Sequence, residues 1–525
     1  MFDLLIKNAN VYDGSGKDAE RLSVAVIDGK IAAIAPEISG EAKEVIDANG
    51  LALTPGFIDA HTHSDRQIFN AEPTRESKLL QGVTTEVGGN CGSSLAPFVN
   101  EAGLDDATIS GIMGNTLFPS YAAYAEEMNK THFGCNQIAL VGQKQIRASV
   151  MGVSTREAND KERGRMKELM EECMQTGAIG MSTGLVYAPS CYSSEEEIVD
   201  LLKVVAKYDG IYSTHVRGEG DTVVESIEEA IRIAKKAGVA LNISHLKAMF
   251  PQNYHKVDQI LEIIDREKAA GLDISFDVYP YVATSSNTTS ALPHHYLSMG
   301  APKLIEFLGS KEGVEKLRHD VETGEGMLEN PLKFIGGEGF LFTKAAETPE
   351  IVGKRLSELA AERGKDIIET LCEIFHDNHL AIGDCRFTMS EDNLVKEFAH
   401  PLCMVGTDAL YYGGPKTVHP RAFGTFPRYL GRYIREKKAL PLKEAVHRLT
   451  GMPAKRYGIA NKGLIKVGYD ADITIFNPDT IIDGATFENP ALPNVGIEYV
   501  ISGGMVAVKN NTLVAVPYGK LILKK

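Results

Sequence analysis

Short apolar strands alternate with amphipathic helical patterns from residue 56 to residue 460 of this chain. Strands such as NQIALVG, GIYSTHV, VALNISHL and DISFDVYPY are separated by helical patterns, for example over 160–176 and 195–208. Alternation of this kind predicts an α/β fold with a parallel sheet that helices cover on both faces. The number of repeats favours a closed (β/α) barrel over an open sheet.

The two ends of the chain show a different pattern. Residues 1–55 and 461–525 contain β-branched runs such as SVAVIDGKIAAIA and EYVISGGMVAVKNNTLVAV, with DGSG and DGK turns between strands. Because chain termini often lie close together, these two segments predict one small β domain built from both ends of the chain, beside a barrel domain over 56–460. Residues 285–345 are rich in Ser, Pro and Gly and lack regular periodicity, which predicts an insertion or lid.

Composition and charge exclude several classes of protein. Of the 525 residues, 43% are hydrophobic, which excludes intrinsic disorder. The net charge of −15 argues against a nucleic-acid partner. The N-terminal MFDLLIKN does not resemble an export signal, and the chain has no apolar run of about 18 residues that would cross a membrane. Seven unevenly spaced cysteines suit a reducing compartment, so we predict a cytoplasmic protein whose oligomeric state stays open.

Side chains that bind metals follow several of the predicted strands. They are His61 and His63 in GFIDAHTH, Cys91 in TTEVGGNCG, His215 in GIYSTH, His245 in VALNISH and Asp408 in CMVGTD. In an α/β barrel the carboxyl ends of the strands carry the catalytic groups. Alternate residues of an extended strand point the same way, so the two histidines of His-x-His can bind one ion. Imidazole, thiolate and carboxylate together are ligands that zinc prefers.

Each of these residues also has a simpler interpretation. A single histidine at a strand end is more often structural, and Cys91 alone is typical of a small buried hydrophobic residue. The whole set, with each member at a separate strand end, favours a metal site.

Eight motifs occur in a fixed order between Pro55 and Gly431: PGFIDAHTHSD, QGVTTEVGGNCGSSLAP, GAIGMSTGLVYAP, STHVRGEGD, ISHLK, DVYPY, GTDA and HPRAFGTFPRYLG. Through them the sequence resembles the N-acyl-D-amino-acid deacylase (D-aminoacylase) family of the amidohydrolase superfamily. The resemblance implies a TIM-like barrel of the amidohydrolase type with a small β-sandwich formed by both termini, in agreement with the patterns above.

The resemblance also implies a set of metal ligands. A tightly held Zn2+ would be bound by Cys91, His215 and His245. A second, weaker metal position would involve His61 and His63.

Four further roles follow from the resemblance. Asp408 would be the general acid and base, and Arg421 would hold the substrate carboxylate, although a salt bridge in the barrel wall is the alternative for Arg421. Lys247 and Tyr187 would contact the substrate or help to polarise its carbonyl. The implied activity is zinc-dependent hydrolysis of the amide bond of a small N-acyl-D-amino acid, which yields a carboxylate and a free D-amino acid.

One motif departs from the family pattern. The segment LVGQKQIR has Gln143 where members usually carry a histidine, and it brings Lys144 to a strand end. The alternative function is therefore a hydantoinase-like or dihydroorotase-like hydrolase of a cyclic amide, or of a β-linked dipeptide, with a carboxylated Lys144 bridging two metals. A non-catalytic scaffold is a remote alternative, because scaffolds usually lose the ligands that this chain keeps.

Three smaller expectations concern the surroundings of the site. The loop 410–417 is expected to line the substrate cleft, and His294 and His295 are expected to be exposed. Arg217 and Glu219 either orient His215 or pair with each other.

Overall fold

The computed structural model describes residues 1–69, 76–105, 109, 116–297, 299–410 and 418–524. Its strands, numbered in chain order, are β1 Phe2–Val11, β2 Glu20–Ile27, β3 Lys30–Ala35, β4 Ala42–Asp47, β5 Ala52–Pro55, β6 Phe57–Asp59, β7 Val83–Gly88, β8 Asn136–Ala139, β9 Val141–Gly142, β10 Gly180–Gly184, β11 Ile211–His215, β12 Ala240–Ile243, β13 Ile274–Val278, β14 Thr284–Asn287, β15 Phe340–Ala345, β16 Ile382–Arg386, β17 Cys403–Val405, β18 Ile473–Phe476, β19 Ile497–Ser502, β20 Met505–Lys509 and β21 Thr512–Leu513.

The described helices are α1 Tyr121–Lys130, α2 Gln143–Met151, α3 Asp160–Thr176, α4 Glu195–Ala206, α5 Val223–Ala237, α6 Lys256–Ala269, α7 His294–Leu297, α8 Ala301–Leu308, α9 Lys311–Thr323, α10 Pro331–Phe334, α11 Leu356–Arg363, α12 Ile367–Asp377, α13 Glu391–Ala399, α14 Arg421–Arg428, α15 Leu442–Leu449 and α16 Gly451–Arg456, with a π-helical segment Tyr429–Glu436. Helix α3 shows how the sequence sets the ends: Asn159 and Glu162 form a capping box, and Gly177 ends the helix in the left-handed conformation. None of the helices in the described ranges is long and apolar enough to cross a membrane.

The two ends of the chain share one sheet. Its nine strands are β1–β5 and β18–β21, and β5 pairs antiparallel with β18 through Pro55 and Ile473. The end of the chain also reaches the central part, where Ile522 donates its backbone N–H to the carbonyl of Gln137 at 2.7 Å. Strands from both termini therefore lie together as predicted, whereas the β-sandwich and the boundaries 1–55 and 461–525 stay predictions.

The central strands form two parallel sheets, β6-β7-β8 and β9-β10-β11-β12-β13-β17. Leu140 alone separates β8 from β9. The backbone N–H of Ala60, just after β6, donates to the carbonyl of Val405 in β17 at 3.1 Å, so the first sheet also contacts the last strand. The predicted parallel arrangement is confirmed, and the central strands are almost entirely buried, as parallel strands covered on both faces are.

The segment 285–345, predicted to be an insertion or lid, is part of a longer unit with its own sheet and core, which we call the insertion; its role as a lid stays a prediction. Strands β14, β16 and β15 form an antiparallel sheet, and this part of the chain has a hydrophobic core of its own that includes Leu304, Leu317, Phe340, Phe342, Leu371 and Phe375. The separate core reaches Ile382, and the sheet ends at Arg386. The sequence did not reveal this extent, because α11 and α12 have the same amphipathic pattern as the helices around the parallel strands.

A buried lysine joins the first and last parallel strands. Lys78 is fully buried, and its Nζ lies 2.5 Å from Asp59 Oδ2, 2.9 Å from Glu86 Oε1 and 3.0 Å from Thr407 Oγ1. Asp59 Oδ1 in turn accepts the backbone N–H groups of His61 and Thr407, at 3.2 and 2.8 Å. One ammonium group therefore fixes the backbone on both sides of the gap between β6 and β17.

Replacing this lysine tests its contribution to stability. We expect Lys78→Met to lower the free energy of unfolding by about 3–5 kcal/mol, because two carboxylates would stay buried without their cation. Urea denaturation followed by far-UV circular dichroism measures the change. The control is Lys130→Met, which removes an exposed pair with Glu126 and should change the free energy of unfolding far less, because water screens that pair. Equal losses in both variants would contradict a stabilising role of the buried network.

Candidate metal centre

The candidate ligands lie at or just after the carboxyl ends of five parallel strands. His61 and His63 follow β6, Cys91 follows β7, and His215 ends β11. Residue His245 follows β12, and Asp408 follows β17. Three of these residues, namely Cys91, His245 and Asp408, have positive φ angles of 52°, 35° and 46°. Side chains other than glycine rarely adopt this conformation, and such strain concentrates at functional sites.

The ligand atoms form two sets that share Cys91. The first contains Cys91, His215 and His245, and the second contains His61, His63, Cys91 and Asp408; within each set the atoms lie within 4.8 Å of one another. Cys91 Sγ is 3.4 Å from His61 Nε2 and 3.4 Å from His245 Nε2. Burial would raise the pKa of the Cys91 thiol, but His61 and His245 outweigh that effect and hold the pKa well below its ordinary value. A thiolate between two groups of imidazoles fits a divalent metal such as zinc.

Asp408 connects this cluster to Arg421. Its Oδ1 lies 3.3 Å from His63 Nε2, and its Oδ2 lies 2.8 Å from Arg421 Nη1. Burial would raise the pKa of Asp408, but Arg421 and the nearby imidazoles outweigh it and hold the pKa well below the ordinary value. The carboxylate is therefore ionised and is able to accept a proton or bind a cation.

Two acidic residues, Asp277 and Glu219, contact the Nδ1 atoms of His61 and His245 and orient these imidazoles. Asp277 Oδ1 lies 3.1 Å from His61 Nδ1 and accepts the backbone N–H of His245 at 2.9 Å. Glu219 Oε1 lies 3.0 Å from His245 Nδ1 and 2.5 Å from Lys247 Nζ. Carboxylates in such positions fix the orientation and tautomer of metal-binding imidazoles.

Sequence reasoning assigned no role to Asp277, although an acidic residue within the apolar strand DISFDV was a usable signal. The sequence offered Glu219 as a residue that orients His215. In the structure Glu219 lies closer to His245, because its Oε1 is 3.0 Å from His245 Nδ1 whereas its Oε2 is 3.7 Å from His215 Nε2. Arg217 pairs with Glu229 at 2.9 Å, so the expected alternative of an Arg217–Glu219 pair is wrong.

A cavity of about 580 Å3 opens above the cluster. Its lining includes most of the predicted site residues: His63, Cys91, Tyr187, His215, His245, Lys247, Asp408 and Arg421. Tyr187 packs against His215 with ring centroids 4.9 Å apart, and the Arg421 guanidinium lies over the ring of Tyr279 at 4.6 Å. His61 is fully buried beneath the cavity. The structure therefore brings all nine predicted residues into one site, although their individual roles stay predictions.

The residues that depart from the family pattern occupy different places. Gln143 is fully buried, and its Nε2 lies 2.8 Å from Ser193 Oγ. Lys144 lines the cavity, where burial and the charge of Arg66 lower the pKa of its ammonium group to about 7.

The remaining expectations have mixed outcomes. His295 is exposed, as expected, whereas the side chain of His294 lies outside the described part of the chain. Leu410 lines the cavity, and residues 411–417 of the same loop lie outside the described residues.

Comparison with known proteins agrees with this geometry. A sequence model described as the amidohydrolase family matches residues 44–301 and 359–508. The chain belongs to the amidohydrolase family. The unmatched stretch between the two segments falls within the insertion.

Among characterised relatives, a D-aminoacylase of Alcaligenes xylosoxydans xylosoxydans is 34% identical over 503 residues, which cover 96% of this chain and 94% of the relative. An N-acyl-D-glutamate deacylase of the same organism is 32% identical over 96% of this chain and 93% of its own. The solved structure of N-acyl-D-glutamate deacylase from Bordetella bronchiseptica, in complex with zinc and a phosphonate inhibitor, has a TM-score of 0.84 at 30% identity and covers 99% of both chains. The resemblance to N-acyl-D-amino-acid deacylases is confirmed.

Because Cys91 belongs to both ligand sets, the two sets predict how many zinc ions the wild-type protein and its variants hold. We expect zinc-saturated wild-type protein to hold more than one zinc per chain, His63→Ala to lose the ion of its own set, and Cys91→Ala to lose both, because Cys91 belongs to each set. Elemental analysis after dialysis against a defined free zinc concentration measures the content. Lys144→Ala is the matched control and is expected to keep the wild-type content. Zinc loss in Lys144→Ala with retention in Cys91→Ala would contradict the assigned ligands.

Proposed function

We propose that this amidohydrolase uses zinc to hydrolyse the amide bond of N-acyl-D-amino acids, releasing a carboxylate and a free D-amino acid. The observation that carries the proposal is the buried cluster of one thiolate, four imidazoles and one carboxylate at the floor of a cavity that also contains Arg421 and Lys247. Relatives of this chain that share about a third of its residues are deacylases of N-acyl-D-amino acids.

The ligand sets support unequal metal affinities. Cys91, His215 and His245 would hold the tightly bound zinc, and His61 and His63 would contribute to the weaker position. The weaker set includes Asp408, whose other oxygen is paired with Arg421 at 2.8 Å, and this cation competes with a metal for the carboxylate. A divalent metal bound here supplies Lewis-acid polarisation of the substrate carbonyl and lowers the pKa of a water molecule.

Asp408 would be the group that moves the proton. It is ionised before the reaction, so it accepts a proton as the water oxygen bonds to the acyl carbon. When the carbon–nitrogen bond breaks, Asp408 donates that proton to the nitrogen, because an amine does not leave as an anion. The carboxylate of Asp408 is then ionised again, and the immediate products are a carboxylic acid and an amine. The proton of the acid passes to the amine, so that at neutral pH they leave as a carboxylate and an ammonium group.

Three residues would position the substrate. Arg421 lines the cavity and pairs with Asp408 through Nη1, and its other guanidinium N–H groups would donate to the substrate carboxylate. Lys247 is held by Glu219 and would stabilise negative charge on the carbonyl oxygen. Burial raises the pKa of Tyr187 well above its ordinary value, so its hydroxyl stays protonated and is able to donate a hydrogen bond there.

The finer architecture belongs to the same proposal. We infer that β6–β13 and β17 close into a (β/α)8 barrel, which the hydrogen bond from Ala60 to Val405 and the bridge between Thr62 and Ala409 support. The barrel domain would span 56–460, and the terminal segments 1–55 and 461–525 would form the small β-sandwich. We also propose a cytoplasmic location, for which the spacing of the seven cysteines is the support.

A second candidate function rests on Lys144. Its amine lines the cavity and has a pKa of about 7, so a neutral fraction exists that carbon dioxide could carboxylate. A carboxylated Lys144 would suit a dinuclear hydrolase of cyclic amides or β-linked dipeptides. Cys91 already belongs to both ligand sets, and this favours the first proposal.

A paired panel of substrates tests the proposed function. We expect zinc-loaded protein to release amine from N-acetyl-D-amino acids and much less from their L enantiomers. Asp408→Asn should retain the tight metal and lose about 100- to 10,000-fold in kcat, because it cannot accept the proton. Asp392→Asn, a change at an exposed helix position, serves as the control. Turnover of hydantoins or β-linked dipeptides without turnover of N-acetyl-D-amino acids would favour the second candidate instead.

A further inference from the structure

We propose that His419 is a positioning residue for Arg421: its imidazole fixes the backbone at the start of α14, so that the guanidinium lies where it binds the substrate carboxylate. This inference rests on the proposed function, which gives that role to Arg421. It adds a residue that is not among the described residues lining the cavity. The observations that carry it are two hydrogen bonds, the start of a helix and the packing around one ring.

His419 forms a hydrogen bond through each nitrogen of its ring. Nδ1 accepts the backbone N–H of Arg421 at 3.0 Å, and Nε2 lies 2.9 Å from the backbone carbonyl oxygen of Ala283. Because the first partner is a donor and the second is an acceptor, the ring carries its proton on Nε2 and is neutral. A single side chain thereby joins the start of α14 to the residue before β14.

The backbone N–H of Arg421 needs an acceptor from outside its helix. Arg421 is the first residue of α14, and the first N–H groups of a helix have no carbonyl partner within it. Arg421 is also 1% exposed, so its backbone lies in the interior, where polar groups require a partner. The imidazole of His419 supplies that partner. Its loss would leave an unpaired N–H at the residue whose side chain has to be placed.

Aromatic rings hold the imidazole of His419 in its orientation. Its centroid lies 5.2 Å from that of Tyr281 and 5.1 Å from that of Phe487, with interplanar angles of 87° and 78°. Phe487 lies between β18 and β19, so the C-terminal part of the chain also packs on this ring. Edge-to-face contacts are a preferred arrangement of aromatic rings. The packing therefore fixes the direction of both hydrogen bonds.

The neutral state of His419 suits this role. Burial and the charge of Arg421 hold the pKa of the imidazole well below its ordinary value. Nδ1 therefore keeps the lone pair that accepts the N–H of Arg421 at neutral pH. A histidine that became protonated near pH 7 would lose this acceptor.

The side chain of Arg421 is thus constrained at both ends. Its Nη1 pairs with Asp408 Oδ2 at 2.8 Å, and its guanidinium lies over the ring of Tyr279 at 4.6 Å, while His419 fixes its backbone. Pairing of a guanidinium with a carboxylate through two parallel hydrogen bonds depends on orientation as well as distance. A displacement of about 1 Å at such a group costs about 100-fold in rate. A backbone shift at Arg421 would therefore weaken substrate binding although every group that touches the substrate is still present.

Two substrates that differ only at the α-carboxylate test the inference. They are the N-acetyl-D-amino acid that the protein hydrolyses fastest and its α-amide, which lacks the negative charge that Arg421 would bind. We expect the wild-type protein to prefer the acid. In His419→Leu, kcat/KM for the acid should fall by about 10- to 100-fold, mainly through KM. The value for the amide should change little, which shows that the variant is folded and active.

Two conservative variants separate the two hydrogen bonds of the imidazole. His419→Asn places its amide oxygen near the position of Nδ1, where it is able to accept the N–H of the residue two positions later. His419→Gln places its amide one carbon farther out, near the position of Nε2, where it would donate to Ala283 instead. We expect His419→Asn to keep most of the preference for the acid and His419→Gln to lose it. This comparison tests the inference even where His419→Leu does not fold.

A double-mutant cycle shows whether His419 acts through Arg421. Arg421→Met should abolish the preference for the acid. Adding His419→Leu should lower the ratio of acid to amide no further, because the guanidinium that His419 positions is already absent. The control is His319→Gln, a change at an exposed histidine of α9, which should leave both substrates unaffected.

The remaining outcomes separate a failure of this inference from a failure of the proposed function. Equal losses for the acid and the amide in His419→Leu would indicate a merely structural role and overturn the inference. Additive losses in the cycle, or a preference kept by His419→Gln and lost by His419→Asn, would overturn it too. Equal turnover of acid and amide by the wild-type protein would overturn it while leaving amide hydrolysis intact. Absence of amine release from every N-acetyl-D-amino acid would instead overturn the proposed function, and the inference with it.

Discussion

Backbone hydrogen bonds between the first and the last parallel strand hold the site together. Asp408 donates its N–H to the carbonyl of His61 at 2.7 Å, and Ala60 donates to Val405 at 3.1 Å. These bonds join segments that lie far apart in sequence, and they place the carboxylate of Asp408 beside the imidazoles of His61 and His63. Without this contact the histidines would remain, but the acid that completes the second ligand set would not be near them.

This arrangement buries charged side chains, which is unfavourable by itself. Ion pairs between oppositely charged residues offset that cost. Lys78 neutralises part of the charge of Asp59 and Glu86 below the site. Lys247 and Arg421 pair with Glu219 and Asp408 at its edge. Buried charges are tolerated when they are paired and hydrogen-bonded. The cluster around Cys91 gathers a thiolate, imidazoles and a carboxylate, which are the donors that a divalent cation binds, and this is the strongest physical reason to assign a metal to it.

Much of the site was accessible from sequence because its signals are local. His-x-His after an apolar strand, and single histidines at the ends of two others, mark residues that parallel strands must bring to one edge. Other parts depend on contacts between distant residues. The pairing of Arg421 with Asp408, the position of Asp277 behind His61 and the four-way bonding of Lys78 have no signature in local spacing.

The same distinction applies to the fold. Alternation of strands and helices predicted the parallel sheets, and β-branched runs at both ends predicted strands that share a sheet. The insertion was predicted only over 285–345, where periodicity breaks down. Helices α11 and α12 pack on its separate core, yet their hydrophobic pattern does not reveal which core they cover. For this reason the full extent of this unit became visible only in the structure.

The central claim is that Cys91 is the shared ligand of a metal centre. Diffraction data collected on either side of the zinc absorption edge, from crystals of the zinc-loaded protein, test it most directly. The account predicts a strong anomalous peak within bonding distance of Cys91 Sγ, His215 and His245, at about 2.0–2.3 Å. A weaker peak is predicted beside His61 and His63. A strong peak within bonding distance of Lys144 Nζ and not of Cys91 Sγ, or no peak at the floor of the cavity, would contradict the assignment of Cys91 as a metal ligand.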